Sequence, residues 1–359
     1  MVRYKFSKTR NKEFATVLRQ RVKTYFQEEE LSVKGNSQMV VKSVVVLSIY
    51  FLPFLFILFG GITEIWALCL LWMLMGLGKA CIGTSVMHDA LHGSYSQKKS
   101  INTLMHFSAL VVGVYPKTWK LQHNVLHHTY TNIDHADDDL TPVGVLRFSP
   151  NQDHKWFFRY QHIYAIFFYA GVTIAWSITK DFVKLTKYRN IGLIKHRKEY
   201  WRHIGLIILS KIFYFSLILG LPIILLPLPV WQIVCMFLLM HVVTGITLSM
   251  IFQLAHIMPC ATFLEPEDPH IDENWWVHQL NTTSNYAMNS KVIFFLFGGL
   301  NFQVEHHLFP HICHVHYPQL AKIVQQTTQE FDLPYHSEKY MGSAILLHFQ
   351  MLKKLGQPA

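Results

Sequence analysis

The sequence predicts an all-α integral membrane protein with four membrane-spanning helices, arranged as two hairpins, and a helical cap on the cytoplasmic side. Composition is the first indication: of 359 residues, 51% are hydrophobic and only 15% are charged, which is unusual for a wholly soluble protein. The second is a set of long apolar runs that pair across short turns. The five cysteines form no CxxC pair, so neither a disulfide framework nor a thiolate metal site is indicated.

Two apolar hairpins account for the predicted spans. Each arm has roughly the 20 residues that a helix needs to cross about 30 Å of hydrocarbon. Gly60 and Gly61 separate the arms of the first hairpin, and the residues PLP at 227–229 separate those of the second. We expect a cytoplasmic N-terminal segment at 1–40 and a single membrane domain at 41–359. The predicted spans are residues 41–59, 62–87, 204–226 and 230–254, and the predicted cap comprises residues 88–203 and 255–359.

A fifth apolar run, residues 162–179, is predicted to lie in the membrane interface. If it crossed the bilayer, the histidines near residues 90 and 125 would face the opposite side from those near 256 and 306. Residues 104–115 and 292–300 are too short to span and are placed in the interface as well.

Lysine and arginine indicate the orientation. Only three of the 32 Lys and Arg residues, Lys42, Lys79 and Lys211, lie within the four arms, and the short turns contain none. By the positive-inside rule both turns face outward and the rest of the chain faces the cytoplasm. The net charge of +10 then lies mainly on the cytoplasmic face, near anionic lipid heads.

The sequence contains 22 histidines, the same number as Asp and Glu combined. Packing alone does not require so many histidines. The histidines cluster in HDALH, HNVLHH and QVEHH, where i, i+3 and i+4 spacings place side chains on one face of a helix, about 6 Å apart. Every cluster occurs where a span or interfacial segment meets the cytoplasm, as does His256 at the end of the fourth span. The candidate metal ligands are His88, His92, His123, His127, His128, His256, His306 and His307.

Eight imidazoles exceed the three or four ligands of one zinc ion, so two ions are expected. Imidazole with few carboxylates suits iron, copper or zinc. Iron is preferred because a site beside lipid, with open coordination positions and no HExxH motif, fits oxygen activation better than hydrolysis. Nearby carboxylates are expected to accept the second ring N–H of the ligands, although the run at 137–139 fits a solvated loop equally well. These carboxylates are Asp89, Asp134, Asp137, Asp138, Asp139 and Glu305.

Other histidines are interpreted as helix caps or interfacial residues, or are left outside the ligand set. Trp119, four residues before His123, is a candidate for lining a substrate tunnel, although core packing explains it as well. The excluded histidines are His106, His162, His196, His241, His311, His314, His316 and His348.

The motifs HDALHGS, HNVLHHTYTN and QVEHHLFP resemble the three histidine boxes of the membrane fatty acid desaturases, in the form HxxxH, HxxxHH and QxxHH. The resemblance runs from about residue 40 to about residue 350. It implies a helical membrane fold with a cytoplasmic cap, two iron ions, and oxygen-dependent removal of two hydrogens from an acyl chain. It also implies that the box histidines bind iron and that His256 matches an additional histidine after the last span.

Gln303 begins the third box, where much of this superfamily has histidine. In this respect the chain resembles the front-end desaturases, which insert a double bond between an existing one and the carboxyl end. An amide can bind a metal weakly through its oxygen, or hydrogen-bond a ligand or a bound water. Gln303 is therefore expected to have a catalytic role.

The expected electron donor is inferred from a motif that the sequence does not contain. The sequence has no haem-binding HPGG element, so a separate electron donor is expected, either ferredoxin or cytochrome b5 with its reductase. The acyl substrate is expected on coenzyme A, a carrier protein or a membrane lipid, and no nucleic acid is expected. Two alternatives remain. A membrane hydroxylase with the same metal centre differs in product mass, and a histidine-rich metal transporter would place its ligands near the bilayer midplane.

Overall fold

Helices make up nearly all of the regular structure in the computed structural model, which describes residues 4–140 and 144–358. The helices are α1 (Lys12–Glu28), α2 (Ser37–Phe59), α3 (Ile65–His92), α4 (Lys99–His106), α5 (Ser108–Val112), α6 (116–130), α7 (Trp156–Asn190), α8 (Arg197–Leu225), α9 (Val230–His256), α10 (Trp275–Thr282), α11 (Lys291–Leu296), α12 (Gln303–Leu308), α13 (Tyr317–Glu330) and α14 (Met341–Leu355). The short strands are β1 (Lys5–Phe6), β2 (His270–Ile271), β3 (Asn285–Tyr286) and β4 (Ser337–Glu338). β1 pairs in parallel with β2, and β3 with β4.

Five helices in the described part of the chain, α2, α3, α7, α8 and α9, are long and apolar enough to cross a membrane. The two predicted hairpins are present as α2 with α3 and α8 with α9. Their helices extend past the apolar runs: α3 continues to His92 and α9 to His256, because these polar ends are embedded in the cap. The run predicted at 162–179 is the middle of α7, a helix of 35 residues.

Small residues let the apolar helices approach each other closely. A Cβ on Gly76 of α3 would come within 2.6 Å of the Met240 carbonyl oxygen of α9. A Cβ on Gly245 of α9 would come within 2.5 Å of the Ala170 carbonyl oxygen of α7. Such contacts bring helix backbones together where lipid supplies no hydrophobic driving force. α9 therefore packs between α3 and α7 and carries His256 to the same level as the end of α3.

The cap is held together by its own apolar core. The amphipathic helix α1 buries Phe14, Leu18 and Val22 against residues of α10, α12 and α13. Because β1 also pairs with β2, the segment before the first span is packed into the cap. The short helices α4, α5 and α11 occupy the stretches that were predicted to be interfacial.

Two π-helical stretches carry histidine motifs. Ile82–Met87 leads directly into His88, and Leu121–His127 contains His123 and His127. Such wide turns are frequent at functional sites.

Candidate metal centre

The structure brings all eight predicted histidines to one place, where the ends of α3 and α9 meet α6 and α12. Seven of them are buried, with exposed fractions between 0% and 5%, and His92 is partly buried. The apolar spans position His88 and His256, while α6 and α12 supply the rings from the cap.

The first group consists of four imidazoles from three helices. Their ligating atoms all lie within 4.8 Å of one another, and the group comprises His88, His92, His123 and His306. The ring centres of His88 and His306 are 4.5 Å apart, and Nε2 of His88 lies 3.3 Å from Nε2 of His123. Four nitrogens at this spacing match the ligand set of one metal ion.

The second group contains three imidazoles, His127, His256 and His307, whose ring centres are 4.8 to 4.9 Å apart. His123 belongs to the first group and His127 to the second, and the two also lie together with Asp139, with ligating atoms within 4.8 Å of one another, as their i, i+4 spacing suggested. His128 lies between the groups, with its ring centre 4.6 Å from that of His306 and 4.4 Å from that of His307.

Hydrogen bonds to Nδ1 orient the rings. His123 Nδ1 lies 2.7 Å from Asp139 Oδ2, and His127 Nδ1 lies 2.9 Å from Asp137 Oδ2. For three further rings Nδ1 faces a neutral oxygen and not a carboxylate. These pairs are His256 with Thr282 O at 3.3 Å, His306 with Tyr317 Oη at 3.2 Å, and His307 with Gln279 Oε1 at 2.8 Å.

The same five rings direct Nε2 toward the centre, as expected of metal-binding histidines whose other nitrogen is engaged by the protein. In the described part of the chain, Nε2 of His127, His306 and His307 has no hydrogen-bond partner, and neither nitrogen of His128 has one. A buried polar atom without a partner is costly. The donor set therefore fits two ions bound by imidazole.

Not every predicted carboxylate serves these rings. The expectation was wrong for Asp134, which accepts from Ser149 and Asn151, and for Asp138, which is bound by Lys184, Lys187 and Tyr188. It was also wrong for Glu305, which accepts from Asn285 and Tyr335. In each case the carboxylate is engaged by donors outside the histidine motifs.

Asp89 serves the centre only indirectly. Its Oδ2 is 2.8 Å from Nδ1 of His314, and its Oδ1 is 3.8 Å from Nδ1 of His88, beyond hydrogen-bonding distance. Its main partner is therefore one of the histidines that were left outside the ligand set.

Burial keeps most of the cap imidazoles in the neutral form that binds metals. Removal from water lowers the pKa of His128, His306 and His307 well below the usual range, and neighbouring rings lower it further. Burial lowers the pKa of His123 to about 4 even though Asp139 opposes the shift. For His127 the effect of burial is outweighed by Asp137, which raises the pKa.

Gln303 lies at the edge of the second group. It is buried, and its Nε2 is 3.0 Å from Nε2 of His256. Because Nδ1 of His256 faces the Thr282 carbonyl, Nε2 of His256 carries the lone pair that would bind a metal. The Oε1 atom of Gln303 has no partner among the described residues. The amide therefore contacts the metal-binding edge of His256, a ring on another helix, whereas its i, i+3, i+4 spacing predicted a shared face with His306 and His307.

An apolar cavity opens onto the first group. Trp119 lines it together with His88, His123 and Gln303, and the Trp119 ring centre is 4.5 Å from that of His123. Trp119 thus occupies the tunnel-lining place proposed for it. The other wall residues include Gly83, Thr84, Met87, Val112, Val172, Trp176, Leu248, Ile251, Phe252 and Leu300.

The excluded histidines lie outside the two groups. His348 bonds Tyr169 and the Ile257 carbonyl, and His241 contacts Tyr214 and Thr173. Sequence reasoning missed Thr282, Tyr317 and Gln279 because they are distant in sequence from the histidines they orient. Only the fold reveals them.

Replacement of Asp139 by asparagine should weaken metal binding about 10- to 100-fold, the range typical when a partner of a ligand is lost. The reason is that the neutral amide is a weaker acceptor for Nδ1 of His123. The measurement is metal retained against a competing chelator. Asp138→Asn is the matched control, because Asp138 belongs to the same run but contacts no ligand. Equal loss in both variants would contradict a specific role for Asp139.

Comparison with known proteins gives consistent relatives. The family profile described as fatty acid desaturase matches residues 64–339. The sn-1 linoleoyl-lipid 6-desaturase of Arthrospira platensis is 33% identical over 342 residues, covering 95% of this chain and 92% of that protein. The protein of the same name from Synechocystis sp. is 33% identical over 99% of this chain and 98% of its own length. The acyl-lipid (8-3)-desaturase of Physcomitrium patens is 31% identical over 98% of this chain and 73% of its own length.

Proposed function

The chain belongs to the fatty acid desaturase family and is an oxygen-dependent oxidoreductase of acyl chains, and we propose that it carries out this reaction with two iron ions on membrane glycerolipids. The new double bond is placed on the carboxyl side of an existing one. The observation that carries the proposal is the pair of imidazole groups at one end of an apolar cavity. The lipid carrier and the front-end position rest on the names of the relatives, which are linoleoyl-lipid and acyl-lipid desaturases.

We assign one ion to the four-histidine group and the other to the three-histidine group, with His128 and Gln303 beside them. Bound iron would supply the oxygen-dependent chemistry that an unactivated methylene requires, since no acid, base or nucleophile in the cavity can remove its hydrogens. The protein residues hold the imidazoles in place. Asp139 and Asp137 fix two of the rings, and the Thr282, Tyr317 and Gln279 oxygens fix three more.

The cavity walls position the acyl chain and exclude water. Apolar side chains give no hydrogen bond to a lipid tail, so the position of the tail is set by shape. The indole of Trp119 lies against His88 and His123 and limits how the tail can pass the first group. A carbon pair held at that point is the one that reacts.

The fold supports four membrane crossings, with α7 lying along the interface. α3 and α9 both end at the metal centre, so the chain between their ends must cross the bilayer an even number of times. α8 and α9 already make two crossings, and a crossing by α7 would make three. The two ends of α7 also bond residues of the same connection between α6 and α7. Near one end Gln161 donates to the Arg147 carbonyl, and near the other Lys184 donates to the Asp138 carbonyl.

The cytoplasm is the proposed side of the metal centre. The turns at the far ends of the two hairpins contain no Lys or Arg, which by the positive-inside rule places them outside. We further propose that a separate ferredoxin, or cytochrome b5 with its reductase, delivers the electrons, because the sequence contains neither HPGG nor CxxC.

Expression in a bacterium that makes no polyunsaturated lipids, together with an electron carrier and a supply of linoleate, tests the proposed function. Lipids that contain a product lighter by two hydrogen atoms, with the new double bond on the carboxyl side, are the expected result. A product heavier by one oxygen atom would identify a hydroxylase. Metal uptake without any lipid product would favour a transporter.

A further inference from the structure

One lysine in the cavity wall is not used by the metal centre. Lys180 of α7 lines the cavity, and its Nζ lies 4.5 Å from the centre of the Trp176 ring. Asp139 is the other charged residue in this wall, and the two side chains interact electrostatically. Because Asp139 contacts His123, Lys180 lies at the end of the cavity that holds the metal-binding rings.

Neighbouring lysines have acceptors, whereas Lys180 has none among the described residues. Lys184 lies 2.8 Å from Asp138 Oδ1 and donates to the Asp138 carbonyl at 3.1 Å. Lys211 donates to the Gly113 and Trp176 carbonyls, each at 2.8 Å, and pairs with Asp181. In the described part of the chain no acceptor lies within hydrogen-bonding distance of the Lys180 ammonium. A partly buried ammonium in the wall of a cavity in a membrane protein indicates a functional contact.

The cavity changes character along α7. Lys180, Trp176 and Val172 lie on successive turns and all line it, so about 12 Å of helix separates the lysine from Val172. Thr173, next to Val172, binds His241 within the helix bundle. The opposite wall runs likewise from His88 to Thr84 and Gly83. One end is therefore polar and beside the metal centre, and the other is more apolar and further from it.

This arrangement can fix the distance between the carboxyl end of an acyl chain and the carbons that react. A front-end enzyme must hold the carboxyl end close to the reacting carbons, and the apolar remainder must lie beyond them. An ammonium is a strong donor to an ester carbonyl or to a phosphate oxygen. The far end, lined by Val172, Val112 and Gly83, offers no ammonium and suits the methyl end.

We propose that Lys180 binds an oxygen at the carboxyl end of the lipid substrate, and thereby sets which carbon pair is desaturated. The inference rests on the proposed front-end function. Its ligand is a polar or anionic oxygen, from the acyl ester or from the phosphate of the headgroup. Lys180 is then a substrate-positioning residue, and its contact is made with the lipid and not with the iron ligands.

The test compares Lys180→Met, Lys180→Gln and Lys180→Arg with the wild-type chain in the linoleate-fed bacterium. Double-bond position is mapped by mass spectrometry, and iron is measured in the purified variants. We expect Lys180→Met to lower conversion at least about tenfold, the loss typical of a hydrogen bond to a charged group. Its residual product should include double bonds at shifted positions, with iron content unchanged. Lys180→Arg should keep the wild-type position, and Lys180→Gln should fall between the two.

Lys184→Met is the matched control, because Lys184 lies one turn further along α7 and binds Asp138 outside the cavity wall. It should leave the double-bond position unchanged. Conversion should be compared in phospholipids and in uncharged galactolipids: equal losses identify the ester carbonyl as the ligand, and loss in phospholipids alone identifies the phosphate.

Wild-type position and conversion in Lys180→Met would overturn the inference while leaving the proposed function intact. Loss of iron with an unshifted product would also overturn it, since Lys180 would then act through Asp139. Absence of any product from the wild-type chain would count against the proposed function itself.

Discussion

His306→Ala should lose both metal and desaturation. The His306 ring belongs to the four-histidine group, and it also lies within ligand distance of His128 and His307. Its loss leaves one ion position with three nitrogens and removes the ring beside the other. Loss of a residue that only hydrogen-bonds a ligand typically costs about 10- to 100-fold. Loss of the ligand itself should lower activity by more than this, and iron content should fall with it. Elemental analysis and product assays on the same preparation measure the two effects.

His311→Ala is the control for this variant. His311 follows the third histidine motif within a few residues, but it is exposed and contacts no ring of either group. It should keep wild-type iron content and turnover. Retention of iron by His306→Ala would show that this ring does not bind metal.

Gln303→Ala should separate metal binding from turnover. The four- and three-histidine groups both stay intact, so most of the iron should remain. The amide lies 3.0 Å from the metal-binding edge of His256 and lines the substrate cavity, so its loss alters the position of groups at the reacting end. A displacement of about 1 Å at a reacting centre can cost about 100-fold in rate. We therefore expect desaturation to fall about 10- to 100-fold.

Gln303→Asn distinguishes this role from simple packing. Asparagine keeps the amide but shortens its reach, so it should restore iron fully and turnover only in part. Near-normal turnover in both variants would mean that Gln303 only ends the preceding turn. That result would also weaken the front-end assignment, because Gln303 is the residue of the third box on which the sequence argument depends.

The histidine positions were predictable because their spacing is a property of single helices. Pairs at i and i+4 share a face whichever elements surround them, and His256 was identified by its place at the end of a span. The division into two groups was not predictable. It depends on the directions in which the His123 and His127 rings point. Both residues lie in a π-helical stretch that the sequence pattern did not predict.

The three consecutive aspartates show the limit of sequence reasoning. Asp137 and Asp139 orient histidines, while Asp138 between them faces the lysines of α7. Their chemistry is identical, so only the backbone path of the loop decides which carboxylate serves the metal centre. Similarly, the oxygens of Thr282 and Tyr317 reach their histidines through folding alone.

Other features carried a signal that the sequence argument did not use. Phe14, Leu18 and Val22 recur at i, i+4 and i+8, the spacing of an amphipathic helix, and they form the face that α1 buries in the cap. For α7 the sequence was ambiguous, since length and composition permit a crossing. A crossing by α7 is disfavoured because α3 and α9 both end at the metal centre.

Elemental analysis of the purified wild-type chain, expressed with sufficient iron, tests the central claim most directly. Two imidazole groups with unpartnered buried nitrogens predict about two iron ions per chain, bound whether or not lipid substrate is present. A single ion per chain, or zinc bound in preference when iron is supplied, would contradict the account.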